Sequence, residues 1–224
     1  MRRVYLIELF AGSHSVSKAL TKCVSNKFDV RVLSVDLDPK SNASVVGDIN
    51  KWNYKRDLKD FLQTKRAKDV VCAHASPPCT AFSRANTTGV RDIEGGSKNV
   101  KTALKIIKFV KPDIWTLENP VGQLYEQPFM KRLDKYINTT SYCKFGKPYK
   151  KPTHIWCNIP NLNLPICNSQ TPCPHKERHG NHSHTAQSGR TSNGAIGSGG
   201  GRNVYPLPSK LVCHVYSKGL LQLV

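Results

Sequence analysis

At 224 residues the chain has room for one α/β domain and a small appendage. Hydrophobic residues make up 38%, enough for a packed core, and no apolar run is long enough to span a membrane. Thirty-four Lys and Arg against 15 Asp and Glu leave a net charge of +19, an imbalance that points to a polyanionic partner, nucleic acid foremost.

In chain order, Val4-Tyr-Leu-Ile-Glu-Leu-Phe10 reads as a first buried strand, followed by a turn at Ala11-Gly12-Ser13. Ser13 or Ser15 is placed to cap a helix running to about Lys22, with Val16, Ala19 and Leu20 on one face. Val30 to Val35 reads as a second strand, ending in Asp36-Leu37-Asp38-Pro39. A short strand at Ser44 to Val46 precedes Gly47-Asp48, and Asp57 to Lys65 reads as a helix. Val70 to Ala73 is a third apolar strand, delivering Ser76-Pro-Pro-Cys-Thr-Ala-Phe82. Thr80 to Gly96 is polar and glycine-bearing and reads as a mobile loop. Ser97 is placed to cap a helix carrying Val100, Ala103, Leu104, Ile107 and Val110 at helical spacing, stopped by Pro112. Ile114-Trp-Thr-Leu-Glu-Asn119 is the next strand, again ended by proline. Strands alternating with helices predict a doubly wound, parallel sheet.

Past about Tyr142 the periodicity breaks down until Ser209 to Leu221, which reads as a helix. Residues 186–202 contain six glycines and read as linker or as a loop ordered by nucleic acid. Beyond Asn138, Glu177 is the only acid while ten Lys or Arg remain, so the C-terminal third is expected to face phosphates. Of the eight cysteines, Cys72, Cys79 and Cys213 lie in or beside apolar segments. The run after Arg2-Arg3 is too short for a signal peptide and lacks a cleavage context, so free thiols in an intracellular, reducing compartment are expected.

Four constellations carry chemistry. Glu8-Leu-Phe-Ala-Gly-Ser-His14 brings a glycine and a helix N-terminus to a strand end, with Asp36 at the next strand end placed for ribose hydroxyls and Asp48 for an adenine amino group. Either feature alone also fits an ordinary strand-turn-helix with surface acids. Cys79 follows two prolines at a strand end, where positive surroundings and amide dipoles would lower a thiol's pKa; an inert buried cysteine is the plainer alternative. Glu118, in Leu117-Glu-Asn-Pro120, is either a salt-bridge partner or a carboxyl able to bond a pyrimidine edge. Cys167, Cys173, His175, His179, His182 and His184 fall within eighteen residues, and zinc on Cys167, Cys173, His175 and His182 is one reading. A polar loop without metal is the other.

From Leu6 to Asn119 the order of LFAG, DLD, GD, PPC and ENP resembles the DNA cytosine-5 methyltransferases, in their compact viral and phage branch. The resemblance implies a Rossmann-like, mostly parallel sheet of the class I S-adenosylmethionine-dependent methyltransferases, with a small irregular target-recognition segment. It divides the chain into a cofactor-binding catalytic domain (1–157), a target-recognition segment (158–202) and a helix returning to the catalytic domain (203–224). Cys79 would add to carbon 6 of a flipped-out cytosine and Glu118 would hold its ring nitrogen 3 and amino group, with Pro78 and Asn119 completing the catalytic set. S-adenosylmethionine would lie on Phe10, Ala11, Gly12, Ser13, Asp36, Leu37, Asp48 and Pro77. Ser83 and Arg84 would touch phosphate.

The tail departs from the family pattern. Ser141-Tyr-Cys-Lys-Phe-Gly146 and Thr153-His-Ile-Trp156 look like the basic DNA-contact strand, but its Gln-x-Arg-x-Arg is absent and Lys144, Lys147, Lys150 and Lys151 stand in. Arg190 and Arg202 complete the expected DNA contacts, and Asn193-Gly194 and Arg202 to Leu211 are candidates for the closing motif. The expected partner is double-stranded DNA, bound by a monomer away from membranes, in host cytoplasm or nucleus for a viral protein. The short recognition segment implies a site of very few bases. An RNA (tRNA) cytosine-5 methyltransferase and a catalytically silent DNA-binding relative are the rival readings. DNA affinity should fall at least about tenfold between low and physiological salt; a flat salt titration would count against a phosphate-facing C-terminal third.

Overall fold

The strand β1 (Arg2–Leu9) explains the layering of the molecule. Its side chains alternate between two faces, as a pleated strand requires. Val4 and Leu6 enter one apolar cluster; Tyr5, Ile7 and Leu9 enter the other. A strand apolar on both faces needs cover on both, and helices supply it. This computed structural model describes residues 1–83, 90–175, 182 and 206–223.

The sheet has seven strands in the order β3-β2-β1-β4-β5-β7-β6. They are β1, β2 (Phe28–Asp36), β3 (Val45–Val46), β4 (Val70–Ala75), β5 (Ile114–Pro120), β6 (Ile137–Ser141) and β7 (Pro152–Cys157). Only β7 is reversed: it pairs antiparallel with β5 and β6, and every other pairing is parallel. One face is covered by α1 (Ser15–Val24) and α4 (Ser209–Leu221), the other by α2 (Tyr54–Leu62) and α3 (Ile93–Val110). The chain leaves β1 for β2 in one direction and pairs β1 with β4 in the other. That switch point opens a crevice beyond the carboxyl ends of β1 and β4, the usual ligand position of such sheets.

Several element boundaries differ from the sequence reading, for local reasons. Neither Ser13 nor Ser15 caps α1. The buried Glu8 carboxylate takes that role from β1, accepting from Val16 N at 3.1 Å and Ser17 N at 3.3 Å. Asp92, not Ser97, caps α3 by accepting from Gly95 N at 2.8 Å, so the helix begins five residues early and Ser97 is buried inside it. The loop expected over Thr80 to Gly96 is therefore shorter: Ala81 and Phe82 are buried, and 84–89 lie outside the described residues. α2 runs one turn ahead of the expected span. Thr153 to Trp156 is not a surface strand; all four residues are buried within β7. The expectation of free thiols fails at one pair. Cys23 on α1 and Cys213 on α4 form a disulfide, with Cα atoms 5.8 Å apart, because the two helices pack side by side on one face. No helix among the described residues is long and apolar enough to cross a membrane.

A buried polar thread crosses the sheet. His74 Nδ1 lies 2.7 Å from Thr116 Oγ1, which lies 2.9 Å from Tyr216 OH; His74 Nε2 lies 2.8 Å from Ser76 Oγ, at the start of the Pro-Pro turn. Burial pushes the His74 imidazole down to about 4 from an ordinary 6.5, so the ring is neutral in the fold. Unfolding releases a histidine that protonates at higher pH. The contribution is therefore complete above pH 6.5 and is lost as pH falls towards about 4, by up to about 3 kcal/mol. Denaturant midpoints at pH 7 and pH 4.5 should drop further in the wild type than in His74→Gln; an equal drop would remove His74 as a cause of acid sensitivity.

Candidate active site

The thiol side of the site is built by the turn after β4. Ser76 N donates to Leu9 O at 3.3 Å, and then Pro77 and Pro78, lacking N–H groups, end the ladder. Pro77 is buried and its carbonyl accepts from Asn119 Nδ2 at 3.0 Å; Pro78 is exposed. The Cys79 carbonyl then accepts from Phe82 N at 2.9 Å and Ser83 N at 2.8 Å, closing a tight turn over the buried Phe82 ring. The loop after β5 fastens the turn, with Gln123 N donating to Phe82 O at 2.9 Å. Gly122 permits that approach, since a Cβ there would lie 2.4 Å from the Phe82 oxygen. Strand-end loops β4 and β5 are thus stitched twice, through Asn119 and through Phe82. Cys79 is the one free cysteine that is not buried.

Facing it is Glu118 of β5, 4% exposed. Its Oε1 accepts from Tyr142 OH at 3.0 Å and from Thr153 Oγ1 at 2.6 Å, and Lys151 Nζ lies 3.7 Å away. Lys151 also sits 4.6 Å above the Tyr142 ring, a cation–π contact. Burial and the neighbouring carboxylate push the Tyr142 phenol well up, so it stays a neutral donor. The second carboxylate oxygen accepts no hydrogen bond among the described residues. Asn119 Oδ1 is buried without a partner among them.

The expected depression of the Cys79 pKa is reversed. Burial pushes the thiol up; Lys151 opposes it and Glu118 adds to it. Lys151, expected at a phosphate, is instead turned inward beside Glu118, its side chain 12% exposed. A charge held between a carboxylate and a thiol serves the site rather than the surface.

The crevice at β1 and β2 is acidic and turn-rich. Phe10, Gly12 and His14 all have φ near +60°, at 59°, 48° and 58°. Such a turn folds the backbone back so that Gly12 N donates to Asp36 Oδ2 at 2.7 Å; Asp36 Oδ1 accepts from Asp38 N at 2.8 Å. Between those acids Leu37 is 70% exposed, an apolar side chain at the mouth of the crevice. Asp48 accepts from Asn50 N at 2.9 Å, which helps hold its carboxyl below the usual range. Ala11 and Pro77 are buried beneath, and Ser13 is half-buried.

Of the expected metal ligands, Cys167, Cys173 and His182 come together and His175 lies outside their group. Cys143, which no spacing rule connects to them, takes the fourth place, and all four ligand atoms lie within 4.8 Å of one another. Lys144 donates to Pro172 O at 2.9 Å, Lys147 is half-buried and Lys150 is exposed. Arg84, Arg190 and Arg202 lie outside the described residues, as do Asn193 and Gly194. Sequence reading missed Tyr142, Thr153 and Cys143. Nothing in a lone tyrosine or threonine marks it as a carboxylate donor, and Cys143 is 24 residues before Cys167.

Strand order β3-β2-β1-β4-β5-β7-β6 with only β7 reversed, an acid-lined crevice at β1 and β2, and flanking helices define an α/β fold of the class I methyltransferase type. Residues 4–150 match the family model described as C-5 cytosine-specific DNA methylase, and the chain belongs to that family. No curated protein sequence matches it significantly. Among solved structures it is similar to an E. coli protein assigned as a prophage-encoded DNA modification methyltransferase, at 16% identity and a TM-score of 0.49. The alignment covers 69% of this chain but 46% of that one, so the chain spans under half of that protein's length.

Alkylation of Cys79 should follow its raised pKa, with a rate that climbs through neutral pH to a midpoint above that of a free thiol. Lys151→Gln removes the opposing charge and should move the midpoint higher still, read by peptide mass spectrometry against pH. An unshifted or lower midpoint would contradict the geometry.

Proposed function

We propose that the protein methylates carbon 5 of cytosine in double-stranded DNA through a transient covalent bond to Cys79. The observation that carries this reading is the pairing of the one accessible free thiol with a buried carboxylate across two stitched strand ends, with Lys151 alongside. The base must leave the helix to reach a crevice of this kind. The Cys79 thiolate adds to ring carbon 6. Glu118, its Oε1 held by Tyr142 and Thr153, shares a proton between its remaining oxygen and ring nitrogen 3, beside the amino group. That contact favours the added state, in which electron density collects at carbon 5. Once carbon 5 has taken up the methyl group, loss of its proton and expulsion of the thiolate restore the aromatic ring.

The β1–β2 crevice fits S-adenosylmethionine. Asp36 and Asp48 offer carboxylate oxygens to ribose and adenine, Leu37 and Phe10 offer apolar surface, and the positive-φ turn brings Gly12 backbone close. When bound, the cofactor supplies the methyl group. Asn119 acts by position: its amide holds the Pro77 carbonyl and so the pitch of the Cys79 turn. Lys151 steadies both the carboxylate and the thiolate. Positioning and preset electrostatics supply the acceleration.

Incubation with tritiated S-adenosylmethionine and either duplex DNA or tRNA separates the readings. Label in DNA is expected, absent in Cys79→Ala and reduced about a hundredfold or more in Glu118→Gln. Label in RNA alone would transfer the reading to an RNA methyltransferase, and no label in either would leave a DNA-binding relative without activity.

A further inference from the structure

We infer that Cys143, Cys167, Cys173 and His182 form a tetrahedral zinc site that fastens the irregular chain after β7 to the wall of the candidate active site. The inference is independent of the cytosine reading. It rests first on the donor geometry. His182 Nε2 lies 3.2 Å from Cys173 Sγ and 3.7 Å from Cys167 Sγ, and the four ligand atoms are mutually within 4.8 Å. A tetrahedron with Zn–S of about 2.3 Å and Zn–N of about 2.0 Å has edges of about 3.5–3.8 Å, so modest inward movement of the widest pair completes it.

The second support is burial. The three thiols are 1%, 2% and 5% exposed, yet they join neither apolar core; they form a cluster of their own. Thiols used merely as small apolar groups would merge with the aliphatic side chains around them. A disulfide would use two of the three and leave the third sulfur over. Three sulfurs and one imidazole are a donor set that selects zinc over oxygen-seeking cations.

The third is need. From 158 to 175 the chain has no helix or strand. Its first residues are anchored, by Asn158 to Asp113 and Trp115 and by Ile159 and Leu162 in the core, but past Leu162 the chain is tied to one short stretch: Thr140 Oγ1 donates to Pro165 O at 2.7 Å, Cys167 N to Ser141 Oγ at 3.4 Å, and Lys144 Nζ to Pro172 O at 2.9 Å. A segment with so little core gains most from a metal staple. The staple would also act on the site. Cys143 sits in the 3₁₀ turn Tyr142–Phe145, next to the phenol that donates to Glu118. One ion would therefore brace both the irregular segment and a donor to the buried carboxylate. Binding converts thiols to thiolates and releases protons to solvent.

Elemental analysis of the full-length protein, purified under reducing conditions without added metal, should find about one zinc per chain. Cys143→Ser and His182→Ala should lose it, while His175→Ala should keep it. Because a ligand variant can fail to fold, the wild type provides a second measurement. Cobalt(II) exchanged into it should give the visible absorption of a tetrahedral, thiolate-rich centre. Chelation should expose three further thiols to a thiol reagent and lower the melting temperature. Wild-type protein that neither contains nor takes up zinc, a disulfide mapped among the three cysteines, or zinc retained in Cys143→Ser would each overturn the inference.

Discussion

A carboxylate buried in a sheet is costly unless its oxygens are bonded, and Glu118 sets that condition for this molecule. Its donors cannot come from β5 itself. They come from Thr153 of β7 and from Tyr142 at the end of β6, with Lys151 just ahead of β7. Satisfying one carboxylate therefore requires the reversed strand to lie against β5 in its observed register, Glu118 opposite Ile155. The register in turn places Thr153 opposite Pro120, within reach of both Glu118 and the Asn119 carbonyl, 2.9 Å from its hydroxyl. Removing one donor leaves a buried charge short of partners, which costs more than the bond itself gives.

The same device recurs on β1 and β2. Glu8 is buried and holds the first amides of α1, while Asp36 holds the turn that precedes the helix. Desolvation pushes the Glu8 carboxyl up, against the amides and His14 that favour its charge. Two carboxylates thus hold the backbone around the first turn, and a third lies beside Cys79.

Between β1 and β5, the Pro-Pro-Cys turn is held by its neighbours rather than by its own ladder. Pro77 and Pro78 cannot donate, so the turn depends on Asn119 from one side and on the Phe82–Gln123 contact from the other. Both ties come from the β5 end. The turn that carries the thiol and the strand that carries the carboxylate are thus fixed to each other at two points.

By itself the sequence determined the layering, the first five strands and the residues of the thiol turn; β6 was not legible in it. Alternation in Val4 to Phe10, the i, i+3, i+4 apolar spacing of α3 and the two prolines are local signals, and local physics reads them. The helix at Ser209 to Leu221 and the place of Cys79 and Glu118 at strand ends were legible for the same reason. Tertiary structure alone decided which groups meet. Glu8 displaced the serine caps because a strand end lies beside the helix start. Lys151 turned from the expected phosphate contact to Glu118 because β7 runs antiparallel, and that orientation leaves no trace in a single strand's composition. Cys143 took the place expected for His175 in the Cys/His cluster, and Cys23 met Cys213 across 190 positions, because such pairings depend on packing between distant segments. Spacing rules see ligands that are close in sequence; a site assembled from three separate stretches becomes visible only once the chain has folded.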